Sequence, residues 1–264
     1  MKRIIAIIFT LMLTAGAGVL LGFLRIEHNN AQLDSTDIHI TYNTSDTLLD
    51  EHDILQVIGS VCGEIRGKTY EQVNFREIET KINRNYYVSA CDVDALLNGT
   101  LRIRIKQRVP MLRIVTENSS YYIDTTGFVM PLATKYSARV PVVSGNIGPV
   151  NVLVSGKNIK MLSDTNKELA SGRLIRCYQL AKYVFNDPRL RPLIDQIYEN
   201  DHGELELISK FGSHTILFGD ADNIEQKFNN LLAFYQQGIK KYGWGAFDLV
   251  NLKYNNQVVC SKNQ

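Results

Sequence analysis

Residues 101–108 read Leu-Arg-Ile-Arg-Ile-Lys-Gln-Arg, and no other stretch of the 264-residue chain constrains its fold as tightly. Side chains alternate across a strand, so Leu101, Ile103 and Ile105 face one way while Arg102, Arg104, Lys106 and Arg108 face the other. Such a strand must bury one face and leave the other in water. Asn98-Gly99 in front of it is a hairpin turn, which pairs it with a strand over Tyr86–Ala95. Upstream, Ile38, Ile40 and Tyr42 alternate as a further strand. Two helices separate it from the hairpin. The first opens near Thr47 and Asp50, and Leu48, Leu55 and Ile58 can share its face; the second opens at Asn74 and Glu77 and carries Phe75, Ile78 and Ile82. The order β-α-α-β-β predicts a small two-layer domain over residues 37–107.

Val109-Pro110 breaks the pattern, and a second unit over 108–264 follows. Short strands are expected around Leu112–Ile114, Tyr121–Ile123 and Phe128–Val129, with Asp124-Thr-Thr-Gly127 as a turn, then at Val140–Val143 and Val150–Val154. A helix over about Lys167–Phe185 stops before Asn186-Asp-Pro188. Three strands follow at Ile194–Tyr198, Glu204–Ile208 and His214–Phe218. Ile224, Phe228, Leu231, Leu232, Tyr235 and Ile239 then make one helical stripe, ended near Gly243. The closing Phe247–Cys260 stretch is a hairpin turning at Asn255-Asn256. This unit reads as a mainly antiparallel sheet with helices on one face, and the whole as α+β.

Ile4–Leu24 is an uncharged run of 21 residues, which as a helix would rise about 32 Å, the thickness of a bilayer's hydrocarbon core. With Lys2 and Arg3 before it, the expectation is a three-residue cytoplasmic tail, a single transmembrane helix over 4–24, a linker over 25–36 and an exported remainder. A cleaved signal peptide ending near Ala15-Gly-Ala17 is the rival reading, and the length of the run favours an uncleaved inner-membrane anchor. Gly18 and Gly22 form a GxxxG pair that would let a second helix approach.

Catalytic patterns are missing. Gly63-Glu-Ile-Arg-Gly-Lys-Thr69 has three residues between its glycines where a phosphate-binding loop needs four. The nucleophile and zinc-hydrolase motifs are absent, the five histidines are scattered, and Glu204 and Glu206 fall on an outer strand face. Cys62, Cys91, Cys177 and Cys260 lack metal-ligand spacing; Cys62 and Cys91 are the pair best placed to bridge, and buried free thiols are the default. A net charge of +2 gives no field for nucleic acid, and the basic strand face lacks the aromatics of a single-strand platform. No enzyme, cofactor, metal or small-molecule substrate is implied.

Taken together, "NGTLRIRIKQRVPMLRI", "YYIDTTGFVMP", "LELISKFGSHTILFGD" and "FDLVNLKYNNQVV" resemble, in order, segments of the bacterial division proteins FtsQ/DivIB. The resemblance implies a POTRA domain followed by a β domain, and a non-catalytic divisome scaffold. Its implied partners are FtsB/DivIC-like and FtsL-like membrane proteins, connecting early ring components to the septal peptidoglycan synthases. It also implies an inner-membrane protein at the division septum. The family's partner surface is the C-terminal sheet edge, which maps here to Leu252, Lys253, Tyr254, Asn255, Val258, Val259, Cys260 and Ser261. Lys253 stands where the family motif has arginine and lacks the planar fork for a bidentate carboxylate contact. The alternative function is a POTRA-type chaperone or polypeptide-translocation module.

Overall fold

The computed structural model describes residues 11–18, 32–44, 46–147, 155–161 and 172–262. Residues 11–18 are helical, and eight residues rise only about 12 Å. No helix among the described residues is long and apolar enough to cross a membrane. That finding overturns the expected membrane-spanning helix, and with it the single-pass inner-membrane placement at the septum. The expectation rested on hydropathy over 4–24, of which 4–10 and 19–24 lie outside the described residues, Gly22 among them. Gly18 is the last helical residue described there, with open space where a Cβ would be.

The chain divides into two compact units: residues 1–43 with 49–107, and residues 44–48 with 108–264. In the first unit, β1 (Ser35–Thr41), β2 (Val88–Ala95) and β3 (Thr100–Gln107) form a sheet in the order β1-β3-β2. The 101–108 alternation lies at its centre: β3 runs parallel to β1 and antiparallel to β2. Its buried Leu101, Ile103 and Ile105 pack against Ile54 and Ile58 of α1 (Glu51–Cys62) and Ile78 and Ile82 of α2 (Phe75–Asn83). Asn74 caps α2 as the sequence suggests, accepting from the Glu77 N–H at 3.1 Å. The α1 cap is instead Asp50, in a reciprocal box with Asp53, and Leu55 is left exposed.

The second unit holds nine strands: β4 (Pro110–Val115), β5 (Ser120–Asp124), β6 (Val129–Pro131), β7 (Val142–Gly145), β8 (Ile194–Glu199), β9 (Leu205–Ser209), β10 (Thr215–Gly219), β11 (Phe247–Asn251) and β12 (Val259–Lys262). Their order is β12-β11-β10-β9-β8-β7-β4-β5-β6. The sheet is mixed: five of its eight pairings are antiparallel, and β4/β7, β7/β8 and β10/β11 are parallel. Alternation marks a strand but not its direction. Here α3 (Arg173–Asn186) lies between β7 and β8 in the chain, and α4 (Ile224–Phe234) between β10 and β11, as parallel neighbours require. The expected strand at Val150–Val154 and the first residues of the helix read from Lys167 lie outside the described residues. Leu180 and Val184 of α3 and Phe228 and Leu231 of α4 share one core with Ile197, Leu207, Ile216 and Val250, and the Tyr183 and Phe228 rings stack at 5.4 Å.

Glu199, at the end of β8, is fully buried; its carboxylate takes Arg176 at 3.0 Å and lies 3.4 Å from Arg173. Gly145 closes β7 against this residue. A Cβ there would stand 2.1 Å from the Glu199 carbonyl oxygen, and its φ of 95° already excludes ordinary side chains. Gly145→Ala is therefore expected to cost at least about 2 kcal/mol, read as a lowered urea midpoint with an unchanged slope. A wild-type midpoint would contradict this packing.

Candidate functional site: the C-terminal sheet edge

The edge is built by the pairing of β11 with β10. Thr215, Ile216 and Leu217 pair with Leu249, Val250 and Asn251, and the Leu252 N–H continues the ladder to the Leu217 carbonyl at 2.9 Å. Leu252 itself is buried. The chain then leaves the sheet. The Lys253 N–H turns back to Asn251 Oδ1 at 2.9 Å, and Asn256 takes the left-handed conformation with φ 59°. It returns as β12, antiparallel to β11, with Val259, Cys260 and Ser261 opposite Asn251, Val250 and Leu249.

Among the described residues no strand lies beyond β12, so its outer row of N–H and C=O groups is unpaired by the sheet. Val258 and Cys260 pack partly against the core, while Val259 and Ser261 are exposed. Burial pushes the Cys260 thiol above its ordinary pKa, which leaves it a poor nucleophile. Beside β12 is an open groove of about 510 Å³, lined by Phe234, Tyr242 and Val258 together with polar residues that include Asn230, Gln237 and Lys241. Its back wall is a π turn over Tyr235–Ile239 continuing α4.

Lys253 and Tyr254 belong to the connection after β11 and not to a strand. Tyr254 is 51% exposed, so its ring is available rather than packed on the sheet. Asn255 beside it is also exposed. Lys253 is engaged: its Nζ lies 3.0 and 3.1 Å from the two carboxylate oxygens of Glu204, at the entry to β9. Its stem crosses Gly219, where a Cβ would come within 2.9 Å of Lys253 Cγ. Glu204 was legible only as a solvated strand carboxylate, since nothing local marks a partner 49 residues away.

The basic face of β3 is also engaged. Arg102 pairs with Asp94, and Arg104 with Asp92 and Asp94, across the β2/β3 ladder. Arg108 turns elsewhere, donating to the buried Asp124 at 3.0 Å with its guanidinium 3.6 Å from the Phe128 ring centre. All four cysteines are free, and no cluster of metal-ligating side chains occurs among the described residues.

The sheet thus ends in an open strand, beside a groove of mixed lining and an exposed tyrosine. The family model described as "FtsQ/DivIB, C-terminal related" matches residues 109–261, from the start of β4 to within one residue of the end of β12. The chain belongs to the FtsQ/DivIB cell-division family. It is also similar to the cell division protein FtsQ of Rhodothermus marinus, 27% identical over 188 residues. That match covers 69% of this chain and 63% of the relative, less than two thirds of the relative's own length.

The Lys253–Glu204 pair is more than a third exposed on the carboxylate side, so Lys253→Ala is expected to change stability by no more than about 1 kcal/mol. Gly219→Ala should cost more, roughly 1–2 kcal/mol from its φ of 78° alone, plus the collision with the Lys253 stem. The double variant should recover the collision and keep the backbone cost. Additive losses in a double-mutant cycle of thermal unfolding would show that the two residues do not touch.

Proposed function

We propose that this protein is a non-catalytic scaffold of the division machinery, and that the β12 edge receives an extended segment of a partner. The carrying observation is the open strand Val259–Lys262 at the end of the family-matched sheet. Strand addition there would gain main-chain hydrogen bonds, with side chains on alternate positions supplying specificity. Tyr254 and Val259 offer exposed apolar surface, Ser261 a hydroxyl, and Leu252, Val258 and Cys260 brace the edge from the core side. Asn255 stands beside Tyr254 in the exposed turn. Lys253 would act by fixing that turn through Glu204; a partner carboxylate would have to compete for it. Family membership supports FtsB/DivIC-like and FtsL-like proteins as the partners, in a role joining early ring components to the septal peptidoglycan synthases. The β-α-α-β-β unit before the sheet supports its assignment as a POTRA domain.

Tyr254→Ala is expected to leave the unfolding transition unchanged while weakening binding of the FtsB/DivIC-like partner about tenfold, or 1.4 kcal/mol. Isothermal titration with the purified partner measures this. Wild-type affinity in a folded Tyr254→Ala protein would remove the tyrosine from the interface.

A further inference from the structure

At the opposite end of β11 from Lys253, a buried histidine sits beneath the protein's single tryptophan. His214 is 2% exposed, and its Nε2 lies 2.7 Å from the Tyr235 hydroxyl of the π turn. Tyr235 in turn bonds to Ser209, whose Oγ accepts from the Phe211 N–H at 3.1 Å. The His214–Tyr235 hydrogen bond runs in either direction, according to which ring nitrogen carries the hydrogen. In both arrangements Nδ1 is buried and has no hydrogen-bond partner. Nothing can be inserted to help it from the Gly212 side, where a Cβ would stand 2.9 Å from Nδ1.

Trp244 closes the remaining side. Its ring lies 6.3 Å from the imidazole at an interplanar angle of 14°, and 5.1 Å from Tyr235. It is 38% exposed, so one face meets solvent. Gly243 and Gly245 flank it, with open space at both Cβ positions and φ 83° at Gly243. The φ at Gly243 is open to glycine and strained for other residues, so the backbone just before Trp244 has more torsional freedom than any other residue would give it.

We propose that His214, Tyr235 and Trp244 form a pH-sensitive latch at the end of the sheet where β11 begins and β12 finishes, with Trp244 as its lid. Protonation makes both ring nitrogens donors, so Nε2–H donates to the Tyr235 oxygen while Nδ1–H meets no acceptor. It also leaves a buried cation with an unpartnered Nδ1–H, a costly arrangement that water relieves once Trp244 swings out. The titratable groups on the packed elements are Tyr235 from the π turn and, behind it, Cys260 from β12; burial raises both, so both stay neutral here. Lys210, next to Ser209, faces Asp195 at 3.9 Å. Burial is what holds the imidazole below its ordinary value, with no charged neighbour contributing. The open form therefore binds the proton more readily. The latch is closed above the ordinary histidine value of about 6.5 and loosens as pH falls below it. The inference is independent of which partner meets β12.

Trp244 is the only tryptophan, so its fluorescence reports the lid directly. For the full chain taken from pH 8 to pH 5, the expected result is a red-shifted emission and stronger acrylamide quenching, with a midpoint below about 6.5. The same midpoint should appear in the NMR titration of the His214 ring. His214→Gln keeps a polar group without the titration and should hold the neutral-pH emission throughout. If that variant does not fold, coincidence of the tryptophan and His214 midpoints in the wild type decides. An unchanged wild-type emission maximum and quenching constant would overturn the latch. So would the same transition in folded His214→Gln, a His214 midpoint that differs from the tryptophan's, or loss of intensity without a red shift.

Discussion

The C-terminal edge depends on one pairing, the parallel ladder between β10 and β11. Parallel neighbours cannot be joined by a tight turn, so the chain must cross over between them, and α4 with its π turn makes that crossing. The crossing covers one face of the sheet with Phe228, Leu231 and Leu232 and delivers Phe247 to the start of β11. Because β11 lies on the outside of β10, the returning β12 has one neighbour only. An open strand at the end of the sheet is the geometric consequence.

Natural sheets blunt such edges with charge, proline or short strands. Here β12 is four residues long and a bulge interrupts its register between Phe247 and Leu249, which limits indiscriminate pairing. Short length also means that main-chain bonds alone hold a partner weakly. On the proposed reading, affinity then comes from what surrounds the strand, the exposed Tyr254 and the groove lined by Phe234, Tyr242 and Val258. The Lys253–Glu204 pair ties the residue before Tyr254 to the entry of β9.

Much of this was legible in the chain. The 101–108 alternation placed the central strand of the first sheet, Asn74 its second helix, and the Ile224–Ile239 stripe the helix behind the edge. Three things were not. Strand direction leaves no trace in alternation, so the parallel pairs were missed even though helices were seen between them. The contacts of Lys253 with Glu204 and of Arg108 with Asp124 join distant residues whose local patterns look like solvated surface. Hydropathy over 4–24 suggested a membrane span, whereas the described helix covers residues 11–18. The proposed edge residues came from the family likeness, and the geometry puts Lys253 and Tyr254 in the connection between β11 and β12.

The central claim is that a partner adds a strand to β12. Amide hydrogen exchange of this chain, alone and bound to an FtsB/DivIC-like protein, tests it most directly. The account predicts new protection of β12 amides within Val259–Lys262, with the β6 edge at Val129–Pro131 unaffected. A tight complex in which the exchange of β12 is unchanged would contradict it.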